Sequence, residues 1–260
     1  MTQGDRRAYL IQTLCREMPQ YETIRIPETQ AGQEQLIRAL MNVRPPVPAS
    51  EEFLKVQNAY LKEEIDKRGV TDSALLVPSG IDRRIFLWKG DITRLKADAV
   101  VNAANSGMLG CFRPLHACID NAIHSFSGVQ LRLECSRLMQ AQGYEEPAGG
   151  AKITPAYNLP CRYILHTVGP VISGPLRQED IRLLADCYGS CLRLAVRHGL
   201  KSIAFCCIST GVFCFPQHKA AETAVESVLR FLEQDDTVEQ VIFDVYTDRD
   251  YMIYKQLLES

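Results

Sequence analysis

Along the first third of the chain, apolar residues recur at helical spacing; beyond it they gather into short β-rich runs. Three helical patterns, roughly 3–17, 28–42 and 50–68, fill the opening part. In the third, Phe53, Val56, Tyr60, Leu61 and Ile65 form one apolar stripe. Ser50 stands where an N-cap belongs, and Glu51 and Glu52 sit at the positive end of the helix. RPPVPAS, between the second and third patterns, is a rigid helix-breaking connector. No catalytic residue types cluster here, so residues 1–80 read as a helical N-terminal extension that packs on the main domain, residues 81–260.

From about residue 83, candidate strands alternate with helices. RIFLWK, ADAVVNAA, RYILHTVG, SIAFCCIS and VIFDVYT are the strands, and helical stretches fall near 116–125, 128–142, 178–198, 216–234 and 248–259. Continuous apolar runs separated by helices predict an α/β fold, a three-layer α/β/α sandwich with the sheet covered on both faces. Ligands in such sheets bind where strand ends lead into helices.

Composition narrows the function classes. The net charge is −2, from 29 basic and 31 acidic residues, so no bulk field draws the chain to nucleic acid, and a negatively charged ligand needs a local site. No apolar run approaches the about 20 residues that span a bilayer. The N-terminus lacks a signal-peptide core, which with reduced thiols gives a cytoplasmic expectation. Ten cysteines in a long, core-rich chain point to thiols rather than disulfides. Cys15, Cys135, Cys187, Cys191, Cys206 and Cys207 all lie in apolar or helical patterns and read as small core residues.

Polar and glycine-bearing stretches fall at the predicted strand ends: GDIT (90–93), NAANS (102–106) and STGVF (209–213). In STGVFCFP the strand is expected to end at Ser209, with unusual backbone angles at Gly211 and Pro216 in the first turn of the next helix. Its successive backbone N–H groups could cradle a phosphate without any lysine, or form an ordinary strand-to-helix turn. Asn102 either caps its strand end or binds ligand, and Asn105 is placed to bind ribose hydroxyls. Asp91 either accepts from an exocyclic amine or caps a turn. GCFRPLHACIDNAIH (110–124) sets Cys111, His116 and Cys118 within eight positions. By spacing alone that is a structural metal site, a catalytic one, or a coincidence in a cysteine-rich chain.

GDIT, VVNAANS, AGGAKIT, YILHTVGP and ISTGVFCFP, in this order and spacing, resemble the macrodomain family of ADP-ribose binders and hydrolases. The resemblance covers residues 83–260 and implies the macrodomain sandwich with a mixed sheet. It implies that Asp91 and the backbone of Ile92 bind adenine, Asn105 the distal ribose, and Ser209, Thr210, Gly211, Val212 and Phe213 the diphosphate. Cys118, Ile119 and Asp120 would line the same pocket, and Tyr246 either stacks on adenine or is a core aromatic. Where ordinary macrodomains carry a glycine run in a pattern like GGGVDGAIH, this chain has LHACIDNAIH: Asp120 holds the acidic position and Asn121 replaces the next glycine.

That departure is similar to the zinc-dependent branch, hydrolases that remove mono-ADP-ribose from proteins. It implies Cys111, His116 and Cys118 as ligands of a catalytic Zn²⁺ with one position open, and Asp120 as general base. His124 would point to the core, because the family motif has a histidine there without metal. The branch further implies glycosidase-type chemistry on a carboxylate linkage, a lipoyl-carrier protein as a candidate substrate and an operon-linked sirtuin-type ADP-ribosyltransferase. The competing readings are an ADP-ribose-binding reader without hydrolysis and a hydrolase of small O-acyl-ADP-ribose.

Overall fold

The computed structural model describes residues 1–259 and centres on a six-stranded mixed sheet. Ahead of it come α1 (Gln3–Glu17), α2 (Gln30–Val43) and α3 (Glu51–Arg68), where the apolar spacing predicts helices. Thr2, Thr29 and Ser50 cap them through their side-chain oxygens, Ser50 by accepting from the Phe53 N–H. A two-residue parallel ladder joins β1 (Thr71–Asp72) to β3 (Leu95–Lys96).

The remaining elements are β2 (Ile85–Lys89), β4 (Ala99–Ala104), α4 (Ile119–Ser127), α5 (Val129–Gln142), β5 (Ala151–Pro155), β6 (Tyr163–Val168), α6 (Gln178–Arg197), β7 (Ser202–Phe205), α7 (Gln217–Leu232), β8 (Gln240–Val245) and α8 (Asp248–Leu258). The sheet order is β2-β8-β7-β4-β6-β5, parallel throughout except for β5, which runs antiparallel to β6. Helices α6, α7 and α8 pack side by side as one layer, α4 and α5 as another, and α2 rests on α4. Strands β2, β4, β7 and β8 therefore end on the same edge of the sheet, where GDIT, NAANS, STGVF and Tyr246 begin their loops.

Two details differ from the sequence reading. AGGAKIT contributes a strand that its pattern does not announce: β5 is an edge strand in which only Thr154 is buried and Pro155 closes the run. The ladder of β7 stops at Phe205, so Cys206 and Ile208 are buried as the start of a loop rather than as strand.

The first three helices close a core of their own around Leu10, Leu14, Ile37, Leu40 and Phe53, joined by Val129 from α5. Polar groups fasten this unit to the sheet-bearing part. Gln57, fully buried on α3, accepts the Val129 N–H at 2.9 Å and so serves a helix whose own N-cap, Gly128, has no side chain to offer. Arg132 of α5 donates to the carbonyls of Met41 (3.1 Å) and Arg44.

The sheet itself buries a polar line. His166 of β6 is fully buried, with Nδ1 at 3.1 Å from the Asn102 amide nitrogen and Nε2 at 2.9 Å from the Thr154 hydroxyl. Because Asn102 donates, His166 is the neutral Nε2–H tautomer, and burial drives its pKa down to about 3.

Phe53→Ala should cost about 3–5 kcal/mol in urea denaturation, because the ring is fully buried. Leu75→Ala, at a side chain 81% exposed, should change stability by less than about 0.5 kcal/mol. Below pH 6.5 the unfolded state takes up a proton at residue 166 that the native state refuses until about pH 3, so acidification destabilises the native state. The stability advantage of the wild type over His166→Gln should therefore shrink as pH falls, with a slope that steepens from about 0.7 kcal/mol per pH unit at pH 6.5 to about 1.4 near pH 5, measured by urea titration at each pH.

Candidate active site

The loop from β4 to α4 carries the most chemistry. It bends through left-handed backbone at Met108 (φ 57°), Gly110 (φ 79°) and Leu115 (φ 56°). Gly110 has a second reason to be glycine, since a Cβ there would lie 2.7 Å from the His124 ring. Arg132 holds the loop from below, with Nε 2.7 Å from the Leu109 carbonyl and its guanidinium 4.2 Å from the Phe112 ring centroid.

This bending brings three donors together. The sulfurs of Cys111 and Cys118 and a ring nitrogen of His116 all lie within 4.8 Å of one another, and Cys111 Sγ is 3.6 Å from His116 Nδ1. Cys118 is also the N-cap of α4, accepting the Asn121 N–H at 3.4 Å. Burial pushes its thiol up to about 11, with Cys111 and Asp120 adding to the rise against the Asn121 amide. Two thiols and an imidazole packed this closely, beside a carboxylate, form a donor set that a soft divalent cation would relieve. The three residues therefore fit a zinc ion.

Asp120 lies in the first turn of α4 and is only 5% exposed. Its Oδ1 accepts from Asn102 at 2.8 Å and its Oδ2 from Asn105 at 3.2 Å. Burial raises its pKa to about 6, against the pull of the Asn102 hydrogen bond, the Arg132 charge and the Asn105 hydrogen bond. His124, one turn on, points to the core with Nε2 3.6 Å from Asp120 Oδ1, and burial holds it neutral, well below its ordinary pKa. It stands apart from the Cys111 group and instead lies with Cys135 and His166 in a second, fully buried cluster.

The other strand-end residues line the same edge. Asp91 caps a single 3₁₀ turn: its Oδ1 accepts from the Thr93 N–H (3.0 Å) and hydroxyl (2.6 Å). Its Oδ2 accepts from Arg68 Nη1 at 3.2 Å, which leaves carboxylate lone pairs over for another donor. Arg68, at the end of α3, stacks 3.7 Å from the centroid of Phe126. Ile92 is buried beside Asp91, and Tyr246 is 78% exposed, which excludes the core-aromatic reading.

In the 209–213 loop the left-handed residues are Ser209 (φ 64°) and, just beyond, Cys214 (φ 58°), not Gly211 as expected. The turn is instead closed by Phe215 N–H on the Ser209 carbonyl (2.9 Å) and Cys214 N–H on the Gly211 carbonyl (3.0 Å), so glycine is not needed for its angles. Pro216 is the N-cap of α7 rather than part of its first turn. Ser209 Oγ is buried without a partner and would sit 2.0 Å from any Cβ at Gly169, which explains the glycine of YILHTVGP. Among the described residues no protein acceptor engages the N–H groups of Thr210, Gly211, Val212 and Phe213. Such a row of free donors is what an anion-binding loop offers.

Several contributors escape the sequence reading. Asn102, there a strand cap or a ligand, proves to hold Asp120 from inside β4. Arg132 had a visible signal, a charge on the buried stripe with Val129 and Ser136. Arg38, Asn42 and Arg68 had none, because their partners lie more than twenty positions away.

The Macro domain family model matches residues 101–224. The chain is 54% identical to the protein-ADP-ribose hydrolase of Treponema medium, over 99% of this chain and all of that one. It is 48% identical to that of Staphylococcus aureus (strain MSSA476), over 96% of this chain and 94% of the relative. Among solved structures, the Trypanosoma brucei macrodomain in complex with ADP-ribose superposes with a TM-score of 0.65 at 29% identity, covering 89% of this chain and 96% of that one. An identity above one half that runs the length of both chains, on this sheet order, is common descent: the chain belongs to the macrodomain family.

Proposed function

We propose that this chain is a zinc-dependent hydrolase that removes mono-ADP-ribose from modified protein side chains, with a carboxylate linkage as the preferred bond. The observation that carries the reading is the meeting of two thiols and an imidazole within 4.8 Å on a loop that leads directly into the buried Asp120. The substrate class is supported by the names of the Treponema and Staphylococcus relatives and by the ADP-ribose in the Trypanosoma structure.

Cys111, His116 and Cys118 would hold the ion, which when bound supplies Lewis acidity and lowers the pKa of a coordinated water towards neutrality. Three protein donors fall one short of a closed structural site. The rest of the work belongs to the chain. Asp91 and the Ile92 backbone receive the adenine edge, and the exposed Tyr246 ring is free to stack on it. The free amides of residues 210–213 take the diphosphate, so a neutral loop binds an anionic ligand without lysine. Asn105 and the Cys118–Asp120 turn then face the distal ribose. Asp120, fixed by two carboxamides, accepts the proton of the attacking water as the bond between ribose and side chain breaks. A lipoyl-carrier protein is the candidate substrate, with a sirtuin-type ADP-ribosyltransferase as the opposing enzyme, in a cytoplasmic setting that suits ten free thiols.

Release of free ADP-ribose from a carboxylate-linked mono-ADP-ribosyl protein, with and without a strong chelator, tests metal dependence and reaction together. Cys118→Ala and Asp120→Ala should each lower turnover by about 10²-fold or more while ADP-ribose binding persists. Full activity in a stoichiometrically metal-free preparation would sink the zinc reading. Tight ADP-ribose binding with no release would make the chain a reader, and faster turnover of small O-acyl-ADP-ribose than of protein would move the substrate class.

A further inference from the structure

The loop that bears Cys111, His116 and Cys118 is gripped from outside the sheet. Arg38 and Asn42 lie one turn apart on α2, four residues of spacing that put both on the same face of the helix. Arg38 donates to the Asn121 side-chain oxygen through Nη2 (2.9 Å) and Nε (3.3 Å), and Nη2 also reaches the His116 carbonyl at 3.4 Å. Asn121 in turn donates to the Arg113 carbonyl at 3.0 Å. Asn42 is 1% exposed; its Oδ1 accepts the Leu115 N–H at 3.0 Å and its Nδ2 donates to Ser125 Oγ at 2.8 Å.

The grip falls where the backbone needs it. Leu115 stands at φ 56°, a left-handed conformation that L-residues rarely adopt, and it directly precedes His116. Its N–H is tied by Asn42, and the His116 carbonyl, one peptide further on, by Arg38, so α2 holds the peptide groups that bracket Leu115 and His116 together. A loop left to itself would have to order on binding a cation and so would bind it less tightly.

We propose that Arg38 and Asn42 are positioning residues for the metal-binding loop, so that the helical extension pre-orders His116 and Cys118 for a divalent cation. This rests on the zinc reading. It gives the extension a role in the site that no residue of the loop itself discloses.

The test uses the full chain stripped of metal, with Zn²⁺ titrated in competition with a chromophoric chelator, and thermal unfolding of each metal-free protein alongside. Arg38→Met and Asn42→Ala should weaken Zn²⁺ binding by about 10- to 100-fold, the usual effect of removing an outer hydrogen-bond partner. Asn42→Asp keeps the acceptor for the Leu115 N–H and should recover most of that loss. Should Asn42→Ala not fold, Arg38→Met carries the test, since it removes only a half-buried guanidinium and keeps the aliphatic stem. Variants that bind Zn²⁺ within twofold of wild type overturn the inference. So does a metal-free unfolding midpoint that falls with each substitution and no rescue by Asn42→Asp, which would mark a general structural role. A wild-type chain that takes up no Zn²⁺ overturns the zinc reading and this inference with it, and that outcome is distinct from the other two.

Discussion

Asp120 carries a carboxylate at 5% exposure, and the surrounding chain is arranged around keeping it there. A charge that far from water costs several kcal/mol unless hydrogen bonds and opposite charge offset it. Asn102 and Asn105 supply one donor to each oxygen, the N-terminus of α4 supplies the positive end of a helix, and Arg132 supplies the cation. The Asn102 amide can point its nitrogen at Asp120 only because its other proton goes to His166, which must then stay neutral and bond Thr154. One buried charge thus fixes an amide orientation and a histidine tautomer across three strands, β4, β6 and β5. The cost is visible in what is left over, since Asn102 Oδ1 has no partner.

Arg132 extends the same constraint outwards. Its guanidinium touches the field of Asp120, the Leu109 carbonyl, the Phe112 ring and the carbonyls of Met41 and Arg44. Burial lowers its pKa to about 10, so it is still a cation at neutral pH. The end of α2, the bend of the loop and the carboxylate of α4 therefore share one side chain. Gln57 does the same for α3 and α5. Besides Val129 and the stacking of Arg68 on Phe126, directional hydrogen bonds of Gln57, Arg132 and Arg68 join the helical unit to the sheet-bearing part and hold it at a defined angle and register.

Periodicity made the helices and the parallel strands legible, because an apolar stripe or run survives whatever it packs against. It did not reveal β5, an edge strand whose single buried residue leaves no run to see. Asp91 and Asn105 were legible as residue types at strand ends, the three donors by their spacing and Asp120 through the family resemblance, while exposure excludes the core reading of Tyr246. The backbone angles were not: Ser209 and Cys214, not Gly211, take the left-handed positions, held by hydrogen bonds within the turn, and a glycine forty residues upstream makes room for the Ser209 side chain. Partners such as Arg38, Asn42 and Arg68 are invisible in one dimension, since nothing local distinguishes a surface arginine on a helix from one that meets a distant loop.

Cys118 and Asp120 occupy one turn of α4, the first as N-cap and the second two places into the helix. Their relative position is set by helix geometry and not by the loop before them. Cys111 and His116 lie on that loop and depend on bends at Gly110 and Leu115 for their approach. The donor set is thus divided, one donor on the rigid helix and two on the adjustable loop, with the carboxylate attached to the rigid part. A displacement of the loop would open the group of donors and pull on Asn105, which also bonds the Gly110 carbonyl, while Asn102 on β4 keeps its hold on Asp120. The contacts of Arg38 with Asn121, on α4, and with His116, on the loop, bridge the two parts. Chemistry that needs a donor group and a carboxylate at a constant separation would depend on that bridge more than on either part alone.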